Sequence, residues 1–160
     1  MITVIIQNDL KIPKTPTLEQ FQTWVNAIFQ SIDDRIPENV NEVCIRIVDK
    51  NESAELNKRF RKKQEPTNIL SFPNESDEHI DNHSLGDIAI CAELVESESN
   101  EQGIPITHHW AHLTIHGVLH LLGYDHIEEK EAIEMENLEI RILKTLKIKN
   151  PYQEPFDDED

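Results

Sequence analysis

The chain has 160 residues and a mass of 18.6 kDa, which fits one domain around one continuous core. Its 15 Lys and Arg stand against 31 Asp and Glu, a net charge of −16, so the surface as a whole repels polyanions and any phosphate must be met by a local island of positive charge. Cys44 and Cys91 lie in apolar stretches and are not spaced as zinc ligands, so buried free thiols are expected; with no leader or long apolar span, a cytoplasmic protein without a membrane segment is expected.

The opening ITVIIQN is rich in β-branched residues and predicts a strand, after which Pro13 and Pro16 break the chain. Thr17 with Gln20 makes a capping-box pattern. Leu18, Phe21, Val25, Ile28, Phe29 and Ile32 follow at helical spacing, so an amphipathic helix is expected with this stripe, widened by Trp24, in the core. Val43 to Val48 alternates as a strand, and Asn51 or Ser53 can cap a helix through Leu56 and Phe60 that Pro66 stops.

Two short strands, Asn68 to Phe72 and Gly86 to Cys91, flank a polar stretch from Asn74 to Ser84 that reads as an exposed loop. It carries His79 and His83, read as loop residues open to a metal or phosphate contact. An acidic helix is expected from Ala92 to about Gln102, ended by Gly103 and Pro105. From about Thr107 to Leu122 runs a helix apolar on most sides, to be buried with its histidines facing a cleft. The last helix, within Ile127 to Leu146, carries Ile133, Met135, Leu138, Ile142 and Leu146 at helical spacing. Residues 1–152 then form the domain, and 153–160, inside the acidic EPFDDED end, are expected as a disordered tail. About four strands and four or five helices, without repeated βαβα alternation, predict a single α+β domain: a mixed sheet packed with helices, one of them a zincin-like metal-site helix.

The run His-Gly-Val-Leu-His-Leu-Leu-Gly-Tyr-Asp-His at 116–126 carries most of the chemistry. His116 and His120 are four residues apart, which places them one turn apart on one helical face, within reach of one ion. Gly123 can end the helix and turn the chain so that His126 returns to them. Three neutral imidazoles around one point suit a catalytic zinc, because the fourth tetrahedral position stays open for a water whose pKa falls to about 7. Zinc proteases of the H-E-x-x-H type keep a general base beside the first histidine, where this chain has Gly117.

Asp125, beside His126, and Asp87, in the strand opening Leu-Gly-Asp-Ile, are candidates to orient an imidazole through its free N–H; each reads equally as a turn or strand-edge residue. His112, on the same helical face as His116, is a candidate to support the site or touch substrate. As a fourth ligand it would close the site and make the zinc structural.

A second constellation is Lys58, Arg59, Arg61, Lys62 and Lys63, followed by Pro66-Thr67-Asn68. Five cations against Glu55 and Glu65 form a positive island that can bind phosphate, and an arginine adds planar bidentate contacts. Taken alone, the same residues read more readily as a solvated helix end, its cations favoured by the C-terminal dipole.

Along nearly its whole length the chain resembles the YbeY endoribonucleases, the bacterial rRNA maturation factors. The resemblance rests on H-G-V-L-H-L-L-G-Y-D-H at 116–126, L-N-K-R-F-R-K-K-Q-E-P-T-N-I-L-S-F-P at 56–73 and L-G-D-I at 85–88. It implies one zinc ion on His116, His120 and His126, with Arg61 as the catalytic arginine on the scissile phosphate. It further implies cleavage of single-stranded RNA in 16S rRNA 3′-end maturation and ribosome quality control, with the small ribosomal subunit and the GTPase Era as partners. The rival classes are a zinc metallopeptidase, disfavoured by Gly117, and a non-enzymatic ribosome-assembly factor whose structural zinc would take a fourth ligand such as His112.

Overall fold

A computed structural model describes residues 2–32, 39–74 and 83–152. The element order is β1 (Thr3–Gln7), α1 (Leu18–Ser31), β2 (Glu42–Val48), α2 (Lys50–Arg61), β3 (Ile69–Pro73), β4 (Ser84–Cys91), α3 (Ala92–Gln102), α4 (Ile106–Leu121) and α5 (Glu129–Thr145). One sheet runs β1-β2-β4-β3; the first three strands are parallel and β3 is antiparallel to β4. The expected α+β domain with a four-stranded mixed sheet is therefore the observed one.

The two sheet faces differ in depth. Ile45, Ile88 and Ile90 are fully buried in one cluster with Phe21, Val25 and Ile28 of α1, Ile115, Val118 and Leu119 of α4, and Ile142 and Leu143 of α5. The opposite face carries a smaller cluster of Val48, Leu70, Ala89 and Cys91, with Leu56 of α2, Phe72 and Leu94 against it. Period-2 alternation decides the sides: Ile88 faces α4, so Asp87 faces away.

The capping box of α1 is formed as expected, the Gln20 amide donating to Thr17 Oγ1 at 3.1 Å and the Thr17 amide to Gln20 Oε1 at 2.9 Å. Gln22, one turn in, reaches β1: its side chain accepts from the Val4 amide at 3.0 Å and donates to the Ile2 carbonyl at 2.7 Å.

Several expectations are corrected. Neither Asn51 nor Ser53 caps α2; Asp49 does, accepting from the Glu52 amide at 2.8 Å. Ser53 and Asn57 lie inside that helix and hold the following loop instead, through the Thr67 and Glu65 carbonyls at 2.7 and 2.8 Å. The helix ends well before Pro66, at Lys62, whose left-handed backbone (φ 58°) sends its amide back to the last turn. Of the last helix's expected stripe, Ile133 is exposed, because it lies about 200° round the helix from the buried Met135; Leu18, the first residue of α1, is exposed as well. Cys91 is buried but Cys44 only half-buried, both as free thiols. Strand β4 begins at Ser84, two residues before the expected Gly86; residues 75–82 of the expected loop, with His79, and the 153–160 tail lie outside the described residues.

Candidate metal centre

Helix α4 brings the histidines to the surface of an otherwise buried rod. At its end the Tyr124 amide donates to the Leu119 carbonyl and the Gly123 amide to the His120 carbonyl, both at 3.0 Å, the paired bonds of a Schellman cap. Gly123 takes φ 96°, a conformation that a side chain would resist. The turn it permits returns His126 to the helix, with ring centroids 5.0 Å from His120 and 5.7 Å from His116.

One nitrogen from each of His116, His120 and His126 lies within 4.8 Å of the others. The Nε2 atoms of His116 and His120 are 3.0 Å apart. Two ligands at the usual zinc–nitrogen length around a tetrahedral ion stand about 3.3 Å apart, so the pair is nearly at metal spacing. His116 and His120 are half-buried and His126 exposed, which leaves the open side toward solvent. The expected triad is thus assembled, and its donor set fits a zinc ion.

What the sequence reading missed is Glu139. This carboxylate of α5 is fully buried, in line with Met135, Leu138 and Ile142. Its Oε1 accepts from His116 Nδ1 at 2.5 Å and its Oε2 from His112 Nε2 at 3.1 Å, and the Tyr152 hydroxyl donates to the same Oε2. Burial alone would raise the Glu139 pKa; hydrogen bonds from His112 and His116, and their charge, outweigh it and hold it down at about 2. A carboxylate can only accept, so His116 carries its proton on Nδ1 and turns a free Nε2 lone pair toward His120. Burial, then the charges of His116 and His126, press the His120 pKa down to about 4, favouring the neutral imidazole that a metal requires.

The orienting role expected of Asp125 or Asp87 therefore belongs to Glu139. Asp125 accepts from the His126 amide at 2.7 Å and shapes the turn. Asp87 is on the far sheet face beside Cys44, where burial and then the Asp87 charge push that thiol up to about 11. His112 serves Glu139 and is not grouped with the three histidines as a fourth ligand, although His112, His116 and Glu139 form a second close set that shares His116. His83 lies at the start of β4, its Nδ1 bonded to the Asn39 carbonyl at 2.9 Å.

Gly117 has a packing reason. A Cβ there would lie 2.6 Å from Ile69 Cδ1 and 3.1 Å from Ile88 Cγ2, because α4 presses its backbone onto β3 and β4. The Gly117 carbonyl also accepts from Ser71 Oγ of β3 at 3.1 Å. On the other side of β3, Phe72 meets Phe60 edge-on, with ring centroids 4.9 Å apart. Strand β3 is thus shared between the histidine helix and the end of α2, where Arg61 and the other four cations of the island are all exposed. Arg61 is exposed and is not bonded to the triad, and none of the described ion pairs includes it.

Glu139→Gln should weaken metal binding by roughly 10–100-fold, since an amide faces three donors with one acceptor oxygen and brings no charge. Competition against a chromophoric chelator measures this. Unchanged affinity would remove Glu139 from the site.

A family model described as Endoribonuclease YbeY matches residues 5–147. A Colwellia psychrerythraea protein named Endoribonuclease YbeY is 49% identical over 141 residues, covering 88% of this chain and 90% of its own length. A Coxiella burnetii protein of the same name is 46% identical over 154 residues, covering 96% of this chain and 100% of its own. The solution structure of TM1509 from Thermotoga maritima superposes with a TM-score of 0.56 at 23% identity, covering 98% of this chain and 99% of that one, a likeness of fold.

Proposed function

Because the chain belongs to the YbeY endoribonuclease family, we propose that it is a metal-dependent endoribonuclease cutting single-stranded RNA, with one zinc ion on His116, His120 and His126. The observation that carries the reading is the three converging imidazoles with one tautomer fixed by a buried carboxylate. A bound zinc supplies Lewis acidity and a water of lowered pKa. The chain's own residues do the rest. Glu139 holds the His116 proton on Nδ1, and Gly123 lets His126 come round. Arg61 meets the scissile phosphate and stabilises the charge that grows on it, in a surface otherwise too negative to hold RNA. A single strand suits this arrangement because its bases can splay away from the backbone.

Following the family, the substrate is the 16S rRNA precursor at its 3′ end and the work is maturation and quality control of ribosomes. The partners are then the small ribosomal subunit and the GTPase Era, in the cytoplasm. Among the described residues no helix is long and apolar enough to cross a membrane. A peptidase is disfavoured because position 117 faces the sheet, leaving no base beside His116. A structural zinc is disfavoured because His112, the spare imidazole, is bonded to Glu139.

Arg61→Ala should keep its metal content and lose about 10²–10³-fold in turnover of a single-stranded RNA. Mass spectrometry for metal and gel assays of RNA, with casein as the control substrate, measure both. Equal turnover would reduce Arg61 to a helix-end charge, and cleavage of casein alone would replace the nuclease with a peptidase.

A further inference from the structure

A second, larger cavity of about 810 Å³ lies beside the metal centre, between α3, the first half of α4 and the segment after α5. It meets the smaller cavity at the triad, about 320 Å³, at Tyr152, which lines both. His112 also lines the larger one, its ring centroid 6.2 Å from that of His116 and 5.5 Å from that of Tyr152. A group held at the triad and a group held in the larger cavity are therefore neighbours on the scale of one nucleotide.

The lining says which part of a nucleotide fits. Glu98 and Glu101 face the cavity, and Lys149 is the one lysine or arginine among its lining residues, so a phosphate is repelled there. Flat faces come from His108, His112 and Tyr152, and apolar walls from Ile104 and Leu113. Edge groups come from Asn68 of the Pro-Thr-Asn segment, whose Nδ2 is spent on Glu98 at 3.0 Å while its Oδ1 makes none of the described side-chain bonds. Glu98 is itself held by His109 Nε2 at 2.8 Å, which fixes the carboxylate as an acceptor on that wall. Aromatic faces with a few fixed donors and acceptors hold an unstacked base, while a charge-rich groove holds a backbone.

Resting on the nuclease reading, we propose that this cavity seats the base of a nucleotide flanking the scissile phosphate, so that the enzyme grips one unstacked base while the triad and Arg61 take the phosphate. Helix α4 then serves both ends of the nucleotide, with the base against His108 and His112 and the phosphate at His116 and His120 one and two turns on.

The test uses the full chain, zinc-loaded, with uridine and adenosine as free nucleosides that carry no phosphate to draw them to the metal. Either nucleoside at millimolar concentration is expected to shift the imidazole NMR signals of His108 and His112. Ile104→Trp, which fills the cavity, should abolish that shift at unchanged metal content and raise KM for single-stranded RNA about tenfold. Should the tryptophan fail to fold, His108→Ala removes one stacking face and should weaken nucleoside binding severalfold. Imidazole signals unmoved by both nucleosides in the wild type would overturn the proposal, even where RNA is cut normally. Nucleosides bound by a wild type that cuts no RNA would leave the base pocket standing and sink the nuclease.

Discussion

His116→Ala is expected to abolish both metal retention and RNA cleavage, and also to destabilise the metal-free protein. The first effect must exceed the roughly 10–100-fold that loss of a ligand's outer partner costs, because here a ligand itself goes and two imidazoles remain. The second follows from Glu139, which is fully buried and takes a 2.5 Å hydrogen bond from the imidazole that the substitution deletes. Stripping a donor from a buried carboxylate costs about 1–3 kcal/mol. Metal by mass spectrometry, cleavage by gel, and urea melts of chelator-treated protein separate the contributions. A His116→Ala variant that cuts RNA as fast as wild type would end the assignment of cleavage to this metal centre, whereas one whose metal-free form is as stable as wild type would show that Glu139 is satisfied without His116.

Gly117→Glu is expected to cost roughly 3–5 kcal/mol, enough to unfold a large fraction of a domain of ordinary stability. A glutamate here restores the H-E-x-x-H pattern in sequence and fails to restore it in space. Its Cβ would already press on Ile69 and Ile88, and the carboxylate would enter the apolar seam between α4 and the sheet with no partner. Thermal melts measure the cost. A variant as stable as wild type would mean that α4 can lift off β3 freely and that position 117 is open to a catalytic base.

Much of this was legible in the residues because the signals are local. The i, i+4 histidines, the glycine at the turn and the returning histidine span eleven residues, and backbone geometry alone brings them together. The capping box of α1 and the spans of α3 and α4 were legible for the same reason. Glu139 was not, because its role comes from packing α5 against α4, 23 residues away from His116. One sign of it was present: a carboxylate adjoining the apolar stripe of Met135, Leu138 and Ile142, where a solvated glutamate has no place. Ser53 and Asn57 misled in the converse way, cap-forming residue types used inside a helix to hold a loop far along the chain. That the end of α2 and the histidine helix both pack on strand β3 is likewise a tertiary relation that no spacing encodes.

The Gln22 side chain bears on how the protein behaves at high concentration. Strand β1 ends the sheet, and such a border offers unpaired amides and carbonyls on which a neighbouring molecule can grow another strand. Gln22 occupies two of these groups, the Val4 amide and the Ile2 carbonyl, as an extra strand would, and so blocks the start of edge-to-edge aggregation. At the opposite border β3 ends in Pro73, which has no amide to offer. Each border is thus blunted at one end by a single side chain, which leaves an incoming strand fewer groups with which to start pairing.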